Sequence, residues 1–305
     1  MKPLPLALLA SASTALAIPH QHNRYPARQS ATKYLISFGD SYTSTSFNIT
    51  GEKPSASNPL GNPPFPGWTS AGGANWIGDL VGTYNNSLLL NYNLAYGGAT
   101  VNASLVAPYT PEVYSLIDQV AEFNEYLVPP PSFAPWSANN TLFAIWQHTR
   151  GVNDVGGSWY QTNPDALATE ILDQLFQQIE LIYAGGARKF ALLTVPPTDR
   201  SPYITQGENA DYTVTHLKAA IASWNTQFTE KAVAFAAAHS DAVVKVIDTQ
   251  PVFNEILDAG GEAADCWNED GVTCLWFNDY HPGLVIQDAV AQAVADAWGD
   301  FFVVP

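Results

Sequence analysis

Ser41 stands in Gly39-Asp40-Ser41-Tyr42-Thr43, directly after the apolar run 34–38. A serine that follows a buried strand projects its hydroxyl from the sheet's carboxyl edge, where a base can make it a nucleophile. Taken alone, the block reads rather as a helix N-cap or a turn. Three further blocks share its setting. Ala95-Tyr96-Gly97-Gly98-Ala99-Thr100 follows the apolar run 88–94, and its glycines let backbone N–H groups line a cavity closely. Gly151-Val152-Asn153-Asp154 comes slightly late after 142–146, and Asn278-Asp279-Tyr280-His281-Pro282 precedes the last helical stretch. Each block is weak by itself. In this order, at successive strand ends, the four together specify a site.

The elements that must position these blocks alternate along the chain. Apolar strands are expected at 34–38, 88–96, 142–146, 189–195 and 243–247. Helices are expected at 75–81, 111–127, 164–183, 211–239 and 283–301, the second with Val113, Leu116, Ile117, Val120, Phe123 and Leu127 at three- and four-residue spacing. Near-continuous apolar strands between amphipathic helices imply a parallel sheet covered on both faces. Ligands of such sheets sit at the strands' carboxyl ends, where the four blocks fall. A loop over 58–73, rich in Pro, Gly and Ser, holds Phe65 and Trp68. No linker divides the chain.

Composition narrows the function classes. The 305 residues carry 12 Lys plus Arg against 28 Asp plus Glu, a formal charge of -16. That balance argues against nucleic acid and against anionic lipid as partners. The 12% aromatic and 13% charged content excludes disorder. Residues 1–17 have the form of a signal peptide: Lys2, an apolar core, then Ala15-Leu16-Ala17. Residues 18–31 read as a polar arm and 32–305 as the folded domain, secreted and without a membrane anchor. Four Asn-x-Ser/Thr sequons, at Asn48, Asn85, Asn102 and Asn139, are candidate glycosylation sites.

The two cysteines, Cys266 and Cys274, cannot complete a zinc site unaided and form no Cys-x-x-Cys redox pair. A disulfide closing their loop restricts the unfolded chain by about 2.5 kcal/mol in the entropy model.

The blocks FGDSYT (38–43), NLAYGGAT (93–100), GVND (151–154) and NDYHP (278–282), with the aromatic stretch NPLGNPPFPGWTS (58–70), resemble the SGNH (or GDSL) hydrolase superfamily. Within it, the chain is similar to the secreted fungal acetylesterases of carbohydrate esterase family 16, over nearly the whole of the mature sequence. The resemblance implies a three-layer α/β/α fold with a five-stranded parallel, flavodoxin-like sheet. It implies an ester hydrolase, read here as acting on short acyl esters of carbohydrate; no cofactor is expected, and a monomer is expected although the sequence does not fix the oligomeric state. Ser41 is then the nucleophile and His281 the base, with an oxyanion hole of the Ser41 and Gly98 N–H groups and the Asn153 amide. Trp68 and Trp76 are candidate stacking partners for sugar rings or, equally, core residues.

Two departures from the family pattern matter. Asn278 occupies the position, three residues before His281, that usually holds Asp, with Asp279 beside it. Either Asp279 substitutes, or a Ser–His pair works with an oxygen from Asn278 or the backbone; the second is favoured. Gln147-His148-Thr149-Arg150 adds three positions before Gly151, which bulge, displace Asn153, or reflect a gene-model error at an intron boundary. On these departures rests a rival reading, an impaired scaffold that only binds carbohydrate; a lipase for longer acyl chains is another. No Gly-x-Ser-x-Gly, His-Glu-x-x-His, P-loop or Gly-x-Gly-x-x-Gly motif is present.

Overall fold

A computed structural model describes residues 32–85, 87–147, 154–155 and 164–302. The leader at 1–17, the arm at 18–31, His148 to Arg150 and Asn153 lie outside the described residues. Five strands, β1 (Lys33–Gly39), β2 (Leu89–Asn93), β3 (Thr141–Trp146), β4 (Lys189–Leu193) and β5 (Val243–Ile247), form one parallel sheet in the order β2-β1-β3-β4-β5. The helices are α1 (Trp76–Gly82), α2 (Leu116–Leu127), α3 (Pro164–Ala184), α4 (Pro202–Thr205), α5 (Ala210–Ala238), α6 (Thr249–Ala259) and α7 (Leu284–Ala297). This is the flavodoxin-like strand order, whose direction of winding reverses between β1 and β3.

Side chains alternate across the sheet and each face is covered. Tyr34, Ile36, Phe38, Tyr92, Phe143 and Phe190 pack with α2, α3 and α5. Leu35, Leu89, Leu142, Ala144, Leu193 and Ile247 pack with α1, α6 and α7. Each large side chain so buried contributes roughly 1.5–3 kcal/mol, and two such layers are why these strands read as continuous apolar runs.

The helix ends follow local chemistry. The expected helix at 111–127 begins only at Leu116, because Ser115 closes a capping box with Asp118. Asn75 caps α1, its side-chain oxygen accepting from the Gly78 N–H at 3.3 Å. Helix α6 is unforeseen in the sequence reading; Asp248 caps it, and Pro251 falls in its first turn, where no helical N–H is lost. Trp76, the first residue of α1, is fully buried, which removes it as a sugar contact. Cys266 and Cys274 are joined by a disulfide. Asn48 and Asn139 are exposed, whereas Asn85 and Asn102 are half-buried.

Helices α1 and α7 bring two acids together. Tyr84 donates its hydroxyl to Asp288 at 2.9 Å, and burial, then the Asp288 charge, pushes the Asp79 carboxyl up to about 7. Its folded-state pKa lies above the unfolded value, so its contribution to stability is complete below about 4 and is lost as pH rises through about 7. Asp79→Asn is therefore expected to raise stability at pH 8 by about 1–2 kcal/mol, after discounting for solvent access, and to change little at pH 4. Thermal melts of both proteins at the two pH values check this.

Candidate active site

The four blocks converge at the switch point of the sheet. β1 ends at Gly39, which holds φ +147°; a Cβ there would lie 2.2 Å from the Trp146 carbonyl oxygen of β3. Only glycine lets the two strands close at this point. The Gly39 N–H donates to Gln119 Oε1 at 3.0 Å, and its carbonyl accepts from Gln119 Nε2 at 2.8 Å. Gln119 is fully buried on α2, so that helix clamps the peptide just ahead of the serine. The Asp40 carbonyl then accepts from the Thr43 and Ser44 N–H groups at 3.1 and 2.8 Å, which turns the chain and lifts Ser41 from the sheet.

Buried amides hold this turn from outside. Asn75 Nδ2 donates to the Thr43 and Ser44 carbonyls at 2.9 and 3.1 Å. Asn93 Nδ2 donates to the Thr43 carbonyl at 2.7 Å. The Tyr42 hydroxyl donates to the Tyr280 carbonyl at 2.6 Å, tying the serine turn to the loop that carries His281.

His281 Nε2 lies 2.7 Å from Ser41 Oγ, and His281 Nδ1 lies 2.9 Å from Asn278 Oδ1. The Asn278 oxygen also accepts from the backbone N–H groups of His281 and Tyr280, at 2.7 and 3.0 Å. Two backbone donors fix that amide with its oxygen inward. An amide oxygen only accepts, so Nδ1 must carry the imidazole hydrogen and Nε2 is left as the acceptor for the serine hydroxyl. Asp279 does not take this position: its side chain is exposed and its carbonyl accepts from the Tyr203 N–H at 2.6 Å.

Gly97 and Gly98 lie beside the serine. A Cβ on Gly97 would sit 3.9 Å from Ser41 Cβ, and Gly98 adopts φ +81° against Tyr109. Asn153 is outside the described residues, but both flanks of its segment are anchored to this loop. Gln147 Nε2 donates to the Ala99 carbonyl at 3.1 Å, and Asp154 Oδ2 accepts from the Val101 N–H at 3.0 Å. Gln119 and Gln147 escape the sequence reading because a buried glutamine has no motif. A polar residue on the apolar face of α2 was the available signal.

A cavity of about 520 Å³ opens at Ser41, walled by Phe47, Trp68, Tyr96, Tyr114 and Glu122. A larger one, about 900 Å³, lies against α5 and β5, and no serine, cysteine or histidine is among its described lining residues. Among the described residues no group of acidic, histidine or cysteine side chains could hold a metal ion. No described helix is long and apolar enough to cross a membrane.

Residues 35–294 match the family model of GDSL-like lipases and acylhydrolases. The chain belongs to that family. As a GDSL hydrolase it is 48% identical over 302 residues to an acetylesterase of Thermothelomyces thermophilus, with 97% of each chain covered. An acetylesterase of Hypocrea jecorina is 28% identical over 188 residues, 58% of this chain and 52% of that protein. An acetylxylan esterase of Geobacillus stearothermophilus, solved as a catalytic variant, superposes with a TM-score of 0.49 at 16% identity, covering 87% of this GDSL hydrolase and 93% of that chain. The assignment rests on the family model and the Thermothelomyces relative, and makes the protein a carboxylic ester hydrolase.

Proposed function

We propose that the protein is a secreted serine esterase that removes short acyl groups, acetyl foremost, from carbohydrate. The observation that carries this reading is the relay from Ser41 Oγ through His281 to Asn278, at 2.7 and 2.9 Å. Ser41 attacks the acyl carbonyl carbon while its proton passes to His281 Nε2. The sugar alkoxide departs with that proton and leaves an acyl-serine. A water then attacks, its proton goes to Nε2, and the acid leaves as Ser41 recovers its hydrogen. The oxyanion is assigned to the Ser41 and Gly98 N–H groups and the Asn153 amide; the anchoring of Gln147 and Asp154 to the Gly98 loop supports that assignment.

Acetyl preference draws support from the Thermothelomyces relative, named an acetylesterase. Secretion draws support from the leader at 1–17 and the disulfide. The relay weighs against an inert binding scaffold.

The test is an acyl series. With p-nitrophenyl acetate, butyrate and octanoate, kcat/KM is expected to fall by at least about tenfold from first to last. Release of acetate from an O-acetylated oligosaccharide is expected alongside. Faster turnover of octanoate overturns the acetyl reading in favour of a lipase.

A further inference from the structure

Among its described lining residues the Ser41 cleft has aromatic walls and one charged side chain. Tyr96 and Tyr114 stack with centroids 5.5 Å apart and planes 24° from parallel, yet remain 42% and 44% exposed. Trp68, 74% exposed, lines the same cleft. Rings left open beside a nucleophile offer a flat apolar surface for a pyranose face. Among the described residues that line the cleft, Glu122 is the only charged one. It lies on α2 one turn after Gln119, whose amide grips both polar atoms of the Gly39 peptide. The helix that fixes the nucleophile's strand therefore fixes this carboxylate as well.

Burial, then the neighbouring Glu125 and Asp118, pushes the Glu122 carboxyl above its ordinary range. Beyond the burial, Glu125 and Asp118 add negative charge around this carboxylate, and an anion brought by substrate meets those charges as well.

Resting on the carbohydrate reading above, we propose that Glu122 is a specificity determinant that restricts the cleft to uncharged acylated glycans and rejects those carrying a uronic acid near the ester. Tyr96 and Tyr114 hold the sugar ring, and Glu122 accepts from its hydroxyls. Two like charges about 8–10 Å apart, at effective dielectric constants of about 20–40, discriminate by roughly tenfold.

O-acetylated galacto-oligosaccharides and galacturono-oligosaccharides of equal length differ only at C6, and the readout is the ratio of their kcat/KM values at pH 8. In the wild-type enzyme the ratio is expected to be about tenfold in favour of the neutral sugar and to shrink as salt rises, because screening weakens the repulsion. Glu122→Gln is expected to bring it within about threefold of unity, and Glu122→Lys to invert it. A wild-type ratio near one, or a ratio insensitive to salt, overturns the proposal without need of any variant. So does a ratio left unchanged by both substitutions. Failure to release acetate from either glycan, with p-nitrophenyl acetate still cleaved, instead overturns the carbohydrate reading itself.

Discussion

Ser41→Ala is expected to lower kcat on acetyl esters by about 10⁵-fold while leaving the melting temperature within a degree or two. The size follows from the chemistry: without Oγ no acyl-enzyme forms, and what remains is water attack assisted by the oxyanion donors. The small stability effect follows from the site. Ser41 is half-buried, and the turn around it is held by the Asp40 carbonyl, Asn75 and Asn93 rather than by its own hydroxyl. An organophosphate probe gives an independent readout: mass spectrometry is expected to find a single adduct on the Ser41 peptide of the wild-type protein and none on the variant. Full activity in Ser41→Ala would remove the nucleophile assignment.

The second large effect concerns Asn278. Replacing a triad aspartate by asparagine costs about 10⁴-fold in the well-studied serine protease, because the wrong histidine tautomer results. Here the two backbone donors at 2.7 and 3.0 Å keep the amide oxygen facing Nδ1, so the tautomer is right and only the charge is missing. Asn278→Asp is therefore expected to raise kcat/KM by about tenfold, the difference between a neutral and a charge-assisted hydrogen bond. The added carboxylate favours imidazolium. His281 then loses its proton only at higher pH, and the acidic limb of the kcat/KM profile is expected to move up by about one unit. Asn278→Ala is expected to cost about 10²-fold or more, since Nδ1 loses its acceptor and the loop loses two backbone hydrogen bonds. A gain with Asp but no shift of the acidic limb would separate orientation from charge as the cause.

What was legible in the sequence was whatever depended on local pattern. β5 was bounded at its observed residues because an apolar run between turns has one reading. The parallel sheet followed because apolar strands without alternation must be covered twice. Helix α2 starts five residues later than its apolar spacing predicts, since the approach Pro111-Glu112-Val113-Tyr114 continues that spacing and only the Ser115–Asp118 box ends it. Helix α6 was hidden by Pro251, a residue that breaks helix interiors but suits a first turn. Within the site, Ser41 and His281 stood out by block and position, and Asn278 by its spacing from His281. Which of Asn278 and Asp279 faces the ring depended on a turn whose hydrogen bonds no spacing rule gives. The roles of Gln119 and Gln147 arise from contacts made 80 and 48 residues away along the chain; locally Gln119 shows only as a polar residue on the apolar face of α2, and nothing near Gln147 names its partner.

The bond between His281 and Ser41 spans 240 positions of sequence. β1, which presents the serine, lies near the start of the described chain, whereas the histidine waits on the loop after the disulfide and just before α7. A chain that has emerged from synthesis only as far as Phe277 carries a serine with no base. Every strand lies before that point, so on the proposed roles of Ser41 and His281 such a chain is expected to be inactive. On those roles, turnover is expected to begin only when the last loop docks through the Tyr42–Tyr280 hydrogen bond. Recovery of activity during refolding consequently reports completion of the whole domain, while recovery of helical signal does not.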